Sequence, residues 1–255
     1  MIITDTHTHL YSEAFDDDRE EVIRNAIDQG VKRFFIPAID STYTERMLSL
    51  KELFPDHIYL MTGLHPTHVK ENYMDELLHV RELLSRHQYY AIGEIGIDLY
   101  WEKKFLKEQQ EAFKYQIQLA KEHQLPIVIH CRDAFDEVFE LLEEEKGNDL
   151  RGIFHCFTGT FDQAEKAISY NMKLGIGGVV TFKNGKIDQF LDKIDLKHLV
   201  LETDAPYLAP TPYRGKRNES AYIVNVLDKL ADLHNISGEE LAMITTNNSK
   251  AVFGI

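Results

Sequence analysis

Eight short apolar runs recur along the chain, and their spacing constrains the fold more than any other feature. They fall at Ile2-Ile3, Phe34–Ile39, Ile58–Met61, Tyr90–Ile92, Ile127–Ile129, Ile153-Phe154, Leu174–Ile176 and Leu199–Leu201. Most are continuously apolar rather than alternating, the pattern of parallel strands buried on both faces. Amphipathic stretches separate most of them. Residues 17–29 place Val22, Ile23, Ala26 and Ile27 on one face ahead of Gly30. Residues 107–123 carry Ala112, Phe113, Gln116, Leu119 and Ala120 before Pro126, and residues 133–146 carry Phe135, Val138, Phe139 and Leu142 before Gly147. Ser237 and Glu240 have capping-box spacing ahead of Leu241 and Ile244. Such alternation, repeated about eight times in 255 residues, predicts an α/β fold of the (β/α)8 TIM-barrel type, one domain over residues 1–255. An open doubly wound sheet is the alternative. No glycine-rich phosphate loop follows a strand, which counts against it.

The residues that end these runs are not random. His7 and His9 end the first, Gly63-Leu64-His65-Pro66 the third, Glu94 the fourth, His130 the fifth, His155 the sixth, and Glu202-Thr203-Asp204 the eighth. In a barrel all these ends lie on one rim, where active sites sit. Two histidines one residue apart point the same way from a strand, and neutral imidazole is the commonest protein metal ligand. Singly, each residue has a plainer reading: a rim ion pair for Glu94 or Asp204, a hydrogen-bonded core histidine for His130 or His155. Jointly they supply more ligands than one zinc needs and suit two ions bridged by a carboxylate. The expected arrangement puts His7, His9 and Asp204 on one ion and His130 and His155 on the other, with Glu94 as the bridge. His57, His79, His87, His123, His198 and His234 sit inside or beside helices and strand starts and read as structural or surface residues. Cys131 and Cys156 each follow a proposed ligand, so period two turns them away from it, as buried thiols packed outside the barrel.

Composition narrows the function classes. Two cysteines are too few for a disulfide framework and suit reduced thiols. The start lacks a basic region followed by a long apolar segment, and the apolar runs are far shorter than a membrane span. A cytoplasmic protein without membrane contact is expected, and nothing marks an obligate protein partner. A formal charge of −14 argues against a general nucleic-acid coating protein, though not against local phosphate binding through metals and a few arginines.

The motifs resemble those of the TatD family of metal-dependent hydrolases, a branch of the amidohydrolase-like barrels. The likeness runs the full length: Asp5-Thr-His-Thr-His9, Gly63-Leu-His-Pro66, Gly93-Glu-Ile-Gly-Ile-Asp98, Pro126-Ile-Val-Ile-His-Cys-Arg-Asp-Ala134, His155-Cys-Phe-Thr-Gly159, Glu202-Thr-Asp-Ala-Pro-Tyr207 and Arg214-Gly-Lys-Arg-Asn-Glu219. The resemblance implies a binuclear metal centre held by His7, His9, Glu94, His130, His155 and Asp204. It also implies a deoxyribonuclease, acting often on 3′ ends of single-stranded DNA. The family's last loop usually has proline after its Asn-Glu pair, where this chain has Ser220, which bears on local loop shape.

The expected chemistry is phosphodiester hydrolysis by a hydroxide shared between the two ions, with Asp204 orienting the water and taking its proton. Histidine-rich ligation favours zinc, manganese or a similar ion; the resemblance implies that magnesium also supports DNA cleavage. His65 is expected to hydrogen-bond a substrate phosphate rather than hold a further ion. Glu202 either orients a ligand histidine or pairs with a rim arginine. Arg132, Arg214 and Arg217 are candidate phosphate contacts; the plainer readings are a pair between Arg132 and Asp133 or Asp136, and a solvated turn at residues 214–217. Tyr100-Trp101 either stacks a base or packs on the rim. Two rivals stand beside this reading. One is hydrolysis of a lactone, amide or phosphotriester on the same metals; many such barrels bridge their metals with a carboxylated lysine, and no run here ends in lysine. The other is a metal-binding protein without turnover.

Overall fold

The computed structural model describes residues 1–101 and 103–255. Strands and helices alternate as β1 (Ile3–Asp5), α1 (Arg19–Asp28), β2 (Val31–Ile36), α2 (Thr44–Leu53), β3 (Ile58–Leu60), α3 (Tyr73–Arg86), β4 (Ile92–Asp98), α4 (Leu106–Glu122), β5 (Ile127–Arg132), α5 (Phe135–Glu144), β6 (Gly152–Phe154), α6 (Phe161–Ser169), β7 (Met172–Ile176) and β8 (Leu199–Leu201). Two further helices, α7 (Ile223–His234) and α8 (Gly238–Phe253), complete the chain.

All ladders are parallel, in the orders β1-β2-β3 and β4-β5-β6-β7-β8. Both seams carry hydrogen bonds. Thr62 pairs with Ile92, and the Gly93 amide donates to the Thr62 carbonyl at 2.8 Å. At the other seam the Thr6 amide donates to the Leu201 carbonyl at 3.0 Å. The result is a (β/α)8 barrel whose strands are mostly buried, with β5 emerging at Arg132.

The regular alternation breaks once. Between β7 and β8 the chain makes four short 3-10 turns in place of an α-helix. Gly177-Gly178, Asn184-Gly185 and a left-handed Lys186 interrupt any helical run there.

Period two separates two layers of core. Phe35, Val128, Ile153 and Val200 form one small cluster with Met61 and Phe253. Their strand neighbours, among them Phe34, Ile129, Phe154 and Leu201, join the large cluster under the helices. The small cluster therefore fills the barrel interior, and Phe253 at the end of α8 stacks on Phe35 with ring centroids 3.6 Å apart. Two residues further along each strand, the interior face carries His130, His155 and Glu202. The hydrophobic pattern that packs the barrel floor thus aims the polar groups above it.

Candidate metal centre

Glu94 sits amid the histidines that the strand ends deliver. It is not at a strand terminus: β4 continues four residues past it to Asp98. A register shift between Ile92 and Ile95 accompanies this, and the Glu94 amide donates to Ala38 at 3.1 Å. Its Oε2 lies 3.1 Å from His7 Nε2 and 3.7 Å from His9 Nε2. Its Oε1 lies 2.7 Å from His130 Nδ1, 3.3 Å from His65 Nε2 and 3.6 Å from His155 Nε2. Asp204 Oδ1 is 3.4 Å from His9 Nε2, 3.8 Å from His155 Nε2 and 3.9 Å from His7 Nε2. All six residues expected as ligands are thus together, with His65 among them.

The first and last strands meet through a buried carboxylate, the aspartate that opens the first motif, whose role the sequence alone does not assign. Asp5 accepts from the Thr203 amide at 3.0 Å and the Thr203 hydroxyl at 2.6 Å. Burial pushes its pKa up to about 7 despite the hydrogen bonds from Thr203. The Asp204 amide donates to the His7 carbonyl at 2.9 Å, which sets the two ends in register. Asp204 adopts a left-handed backbone, φ +57°, a strained setting for most residues. Asn218 holds that turn by donating to the carbonyls of Thr203 and Tyr207, each at 2.7 Å.

Outer groups fix the rings. Glu202 Oε1 is 2.9 Å from His155 Nδ1, at an angle poor for a hydrogen bond, and accepts the Cys156 amide at 2.6 Å. Gly175 on β7 admits this carboxylate, since a Cβ there would collide with it. Asp98 Oδ2 lies 2.9 Å from His130 Nε2 and its Oδ1 accepts the amides of Tyr100 and Trp101. Tyr11 hydroxyl is 2.8 Å from His9 Nδ1. Asp98 had a legible signal: it lies four residues past Glu94, on the same face by period two. A carboxylate behind a ligand histidine sets its tautomer and basicity. Asp98→Asn is expected to lower metal affinity by about 10- to 100-fold, measured by competition with a chelating dye.

The electrostatics call for added positive charge. Glu94, Asp204 and Glu202 are sunk in the cup, and among the described residues no lysine or arginine ion-pairs with them. Burial disfavours a charged His155 ring, yet Glu202, Glu94 and Asp204 outweigh it and push its pKa up to about 10. Burial raises the Glu94 carboxyl, but His65, His155 and His7 hold it well below the usual range. Buried anions need a partner, and a divalent cation can replace the protons that now supply it. The donor set fits that role: His7, His9 and Glu94 place ligand atoms within 4.8 Å of one another, as do His65, Glu94 and His130, and His7, His155 and Asp204.

Two residues are placed otherwise than their position in the sequence suggests. Cys156 is not turned away. The chain leaves β6 at Phe154 and Cys156 takes φ +45°, so period two no longer holds and its thiol lies with His155 and Glu202. Arg217 is engaged by carboxylates of its own chain. Its guanidinium pairs with Asp18 at 2.6 and 2.8 Å and with Glu219 at 3.0 Å, clamping its loop near the start of α1. Arg214 lies on the Phe182 ring, 3.6 Å from its centroid. Arg132 remains at the cup, over the exposed rings of Tyr100 and Trp101 at 4.3 and 5.6 Å. Ser220 is buried, its hydroxyl 3.1 Å from that of Thr8, and opens a 3-10 turn. His57 and His79 bond to the Lys32 carbonyl and the Thr44 hydroxyl, away from the cup.

Comparison with known proteins agrees with this architecture. Residues 4–254 match the family model described as TatD related DNase. The chain is 40% identical over 255 residues, the whole of both chains, to the uncharacterized metal-dependent hydrolase YabD of Bacillus subtilis. It is 31% identical over 255 residues, 98% of each chain, to the 3′-5′ ssDNA/RNA exonuclease TatD of Pantoea vagans. The crystal structure of YjjV, a TatD homologue from Escherichia coli, superposes with a TM-score of 0.93 at 29% identity, covering 99% of this chain and 98% of that one. No helix among the described residues is long and apolar enough to cross a membrane.

Proposed function

This chain belongs to the TatD-related family of metal-dependent hydrolases, and on that premise we propose that it cleaves phosphodiester bonds at 3′ ends of single-stranded DNA. The observation that carries the proposal is the division of Glu94. One oxygen faces His7 and His9, the other His130 and His155. A carboxylate split in this way suits two cations side by side, the first completed by Asp204. When bound, zinc, manganese or magnesium would lower the pKa of a shared water and draw charge from a phosphoryl oxygen.

The chain's own groups do the rest. Asp204 reaches the cavity beside the cup and is placed to orient that water and accept its proton. His65 Nδ1 accepts the Thr67 amide at 3.1 Å, so the ring proton belongs on Nε2, which points at Glu94. Burial lowers the pKa of His65 to about 4, with Glu94 opposing, so the ring is neutral. A neutral ring with its proton aimed inward suits donation to a phosphoryl oxygen. Asp98 and Glu202 keep His130 and His155 turned inward. The cavity, about 730 Å3 and lined by His130, His155 and Asp204, favours turnover over metal storage.

The test uses purified protein supplied in turn with manganese, zinc and magnesium, and a 5′-labelled single-stranded oligonucleotide beside a lactone and phosphotriester panel. Stepwise shortening of the oligonucleotide from its 3′ end is expected. Lactone or phosphotriester turnover without oligonucleotide cleavage overturns the reading.

A further inference from the structure

The cavity beside the cup extends well beyond the proposed ligands, and the residues there have no task in hydrolysis itself. It runs between the segments that follow β5, β6 and β7, including the irregular 3-10 segment that replaces a helix. Arg132 and Lys186 both line it, with Asp133 beside Arg132, and none of the three enters an ion pair among the described residues. In a chain of net charge −14, unpaired cations on one cavity wall stand out. In the capping box of α6, also on the wall, Thr160 Oγ1 accepts the Gln163 backbone amide and Gln163 Oε1 accepts the Thr160 backbone amide. Arg132 and Lys186 are the arginine and lysine that an anion entering the cavity meets.

The remaining lining has the character of a base site. Phe161 and Phe190 meet edge to face at 5.9 Å on the wall. Asn184 and Gln189 bring side-chain amides with no hydrogen-bond partner among the described residues. Apolar rings with a few free amides are the usual composition of a pocket that seats a heterocycle and reads its edge.

We infer that this cavity seats the nucleotide adjoining the scissile phosphate, with Lys186 and Arg132 on its backbone phosphate and its base between the phenylalanines and the two amides. The inference rests on the phosphodiesterase reading and gives its strand preference a source outside the cup. A base so seated must leave its stack, which costs a single strand little and a paired end the loss of a base pair. Selectivity for single strands thus comes from the β7–β8 segment, not from the proposed metal ligands.

The test compares wild type with Lys186→Glu and with the Asn184→Ala/Gln189→Ala double variant. All these positions are exposed, so the fold tolerates the changes. Two substrates are used: a single-stranded oligonucleotide, and bis(p-nitrophenyl) phosphate, which has the diester without a flanking nucleotide. For Lys186→Glu the oligonucleotide KM is expected to rise about tenfold relative to that of the small diester. The slope of log KM against log salt should become shallower by about 0.7, the increment that one neutralised phosphate of a single strand supplies. The double variant, assayed in addition on the same oligonucleotide as a duplex, should narrow the preference for single over double strands without changing the salt slope. Variants that shift both substrates equally, or neither, overturn the subsite and leave the phosphodiesterase reading standing. Wild-type protein that cleaves neither substrate overturns that reading, and the subsite with it.

Discussion

Glu94→Gln is expected to lower turnover on single-stranded DNA roughly a thousandfold or more, because it removes the one group that both proposed cations share. The substitution keeps the size of the side chain and changes only charge and one donor. An amide presents a single acceptor oxygen, and its NH2 would face one cation with the wrong polarity. Either orientation spoils one of the two half-sites. Both sides lose the negative charge; with Oε1 as amide nitrogen the side of His130 and His155 also loses its acceptor oxygen, and with Oε2 the side of His7 and His9 does. The effect should divide accordingly: the variant retains close to one equivalent of tightly bound metal where wild type holds two. Elemental analysis beside single-turnover kinetics reads both numbers. Full turnover with two metals bound would falsify the bridging role.

The outline of the barrel is legible because its physical causes are local. Continuous apolar runs bounded by polar ends specify strands buried on both faces, and the helices at residues 17–29, 107–123 and 133–146 follow from 3.6-residue spacing. The ligand set is legible for a related reason: strand ends in a barrel share a rim, so residue type and position within a run suffice. What was hidden depends on departures from regular geometry. The shifted register in β4 places Glu94 inside the strand, and period two along that strand then brings Asp98 to His130, a link that needs the register to be known. The left-handed backbone at Cys156 undoes the alternation that would have turned its thiol outward. Arg217 looks like a phosphate contact until the partner 199 positions away is seen; nothing near it in sequence announces Asp18. Asp5 is the clearest case. Its task is to accept from Thr203, 198 positions on, and only closure of the barrel creates that task.

Asp204→Asn separates the two duties assigned to Asp204, ligand and base. Asparagine is among the residues that best tolerate a left-handed backbone, so the turn at φ +57° should survive, with Asp5, Thr203 and Asn218 still holding it. The amide oxygen can still face His9 and His7, but it cannot take a proton. Loss of a positioned general base costs roughly 10²- to 10⁴-fold in turnover, and a drop in that range with both metals retained is the expected result. The pH profile supplies the independent sign. Burial alone would raise the Asp204 carboxyl; His155, then His9 and His7, outweigh burial and hold it below the ordinary carboxylate range. A depressed pKa means the base is ionised through neutral pH, so wild-type turnover should fall only as acid protonates it. In the asparagine variant that acid limb should vanish while the small residual rate persists. Turnover that falls only in proportion to lost metal, with the acid limb intact in the remaining loaded enzyme, would assign Asp204 to ligation alone and move the proton to another acceptor in the cup.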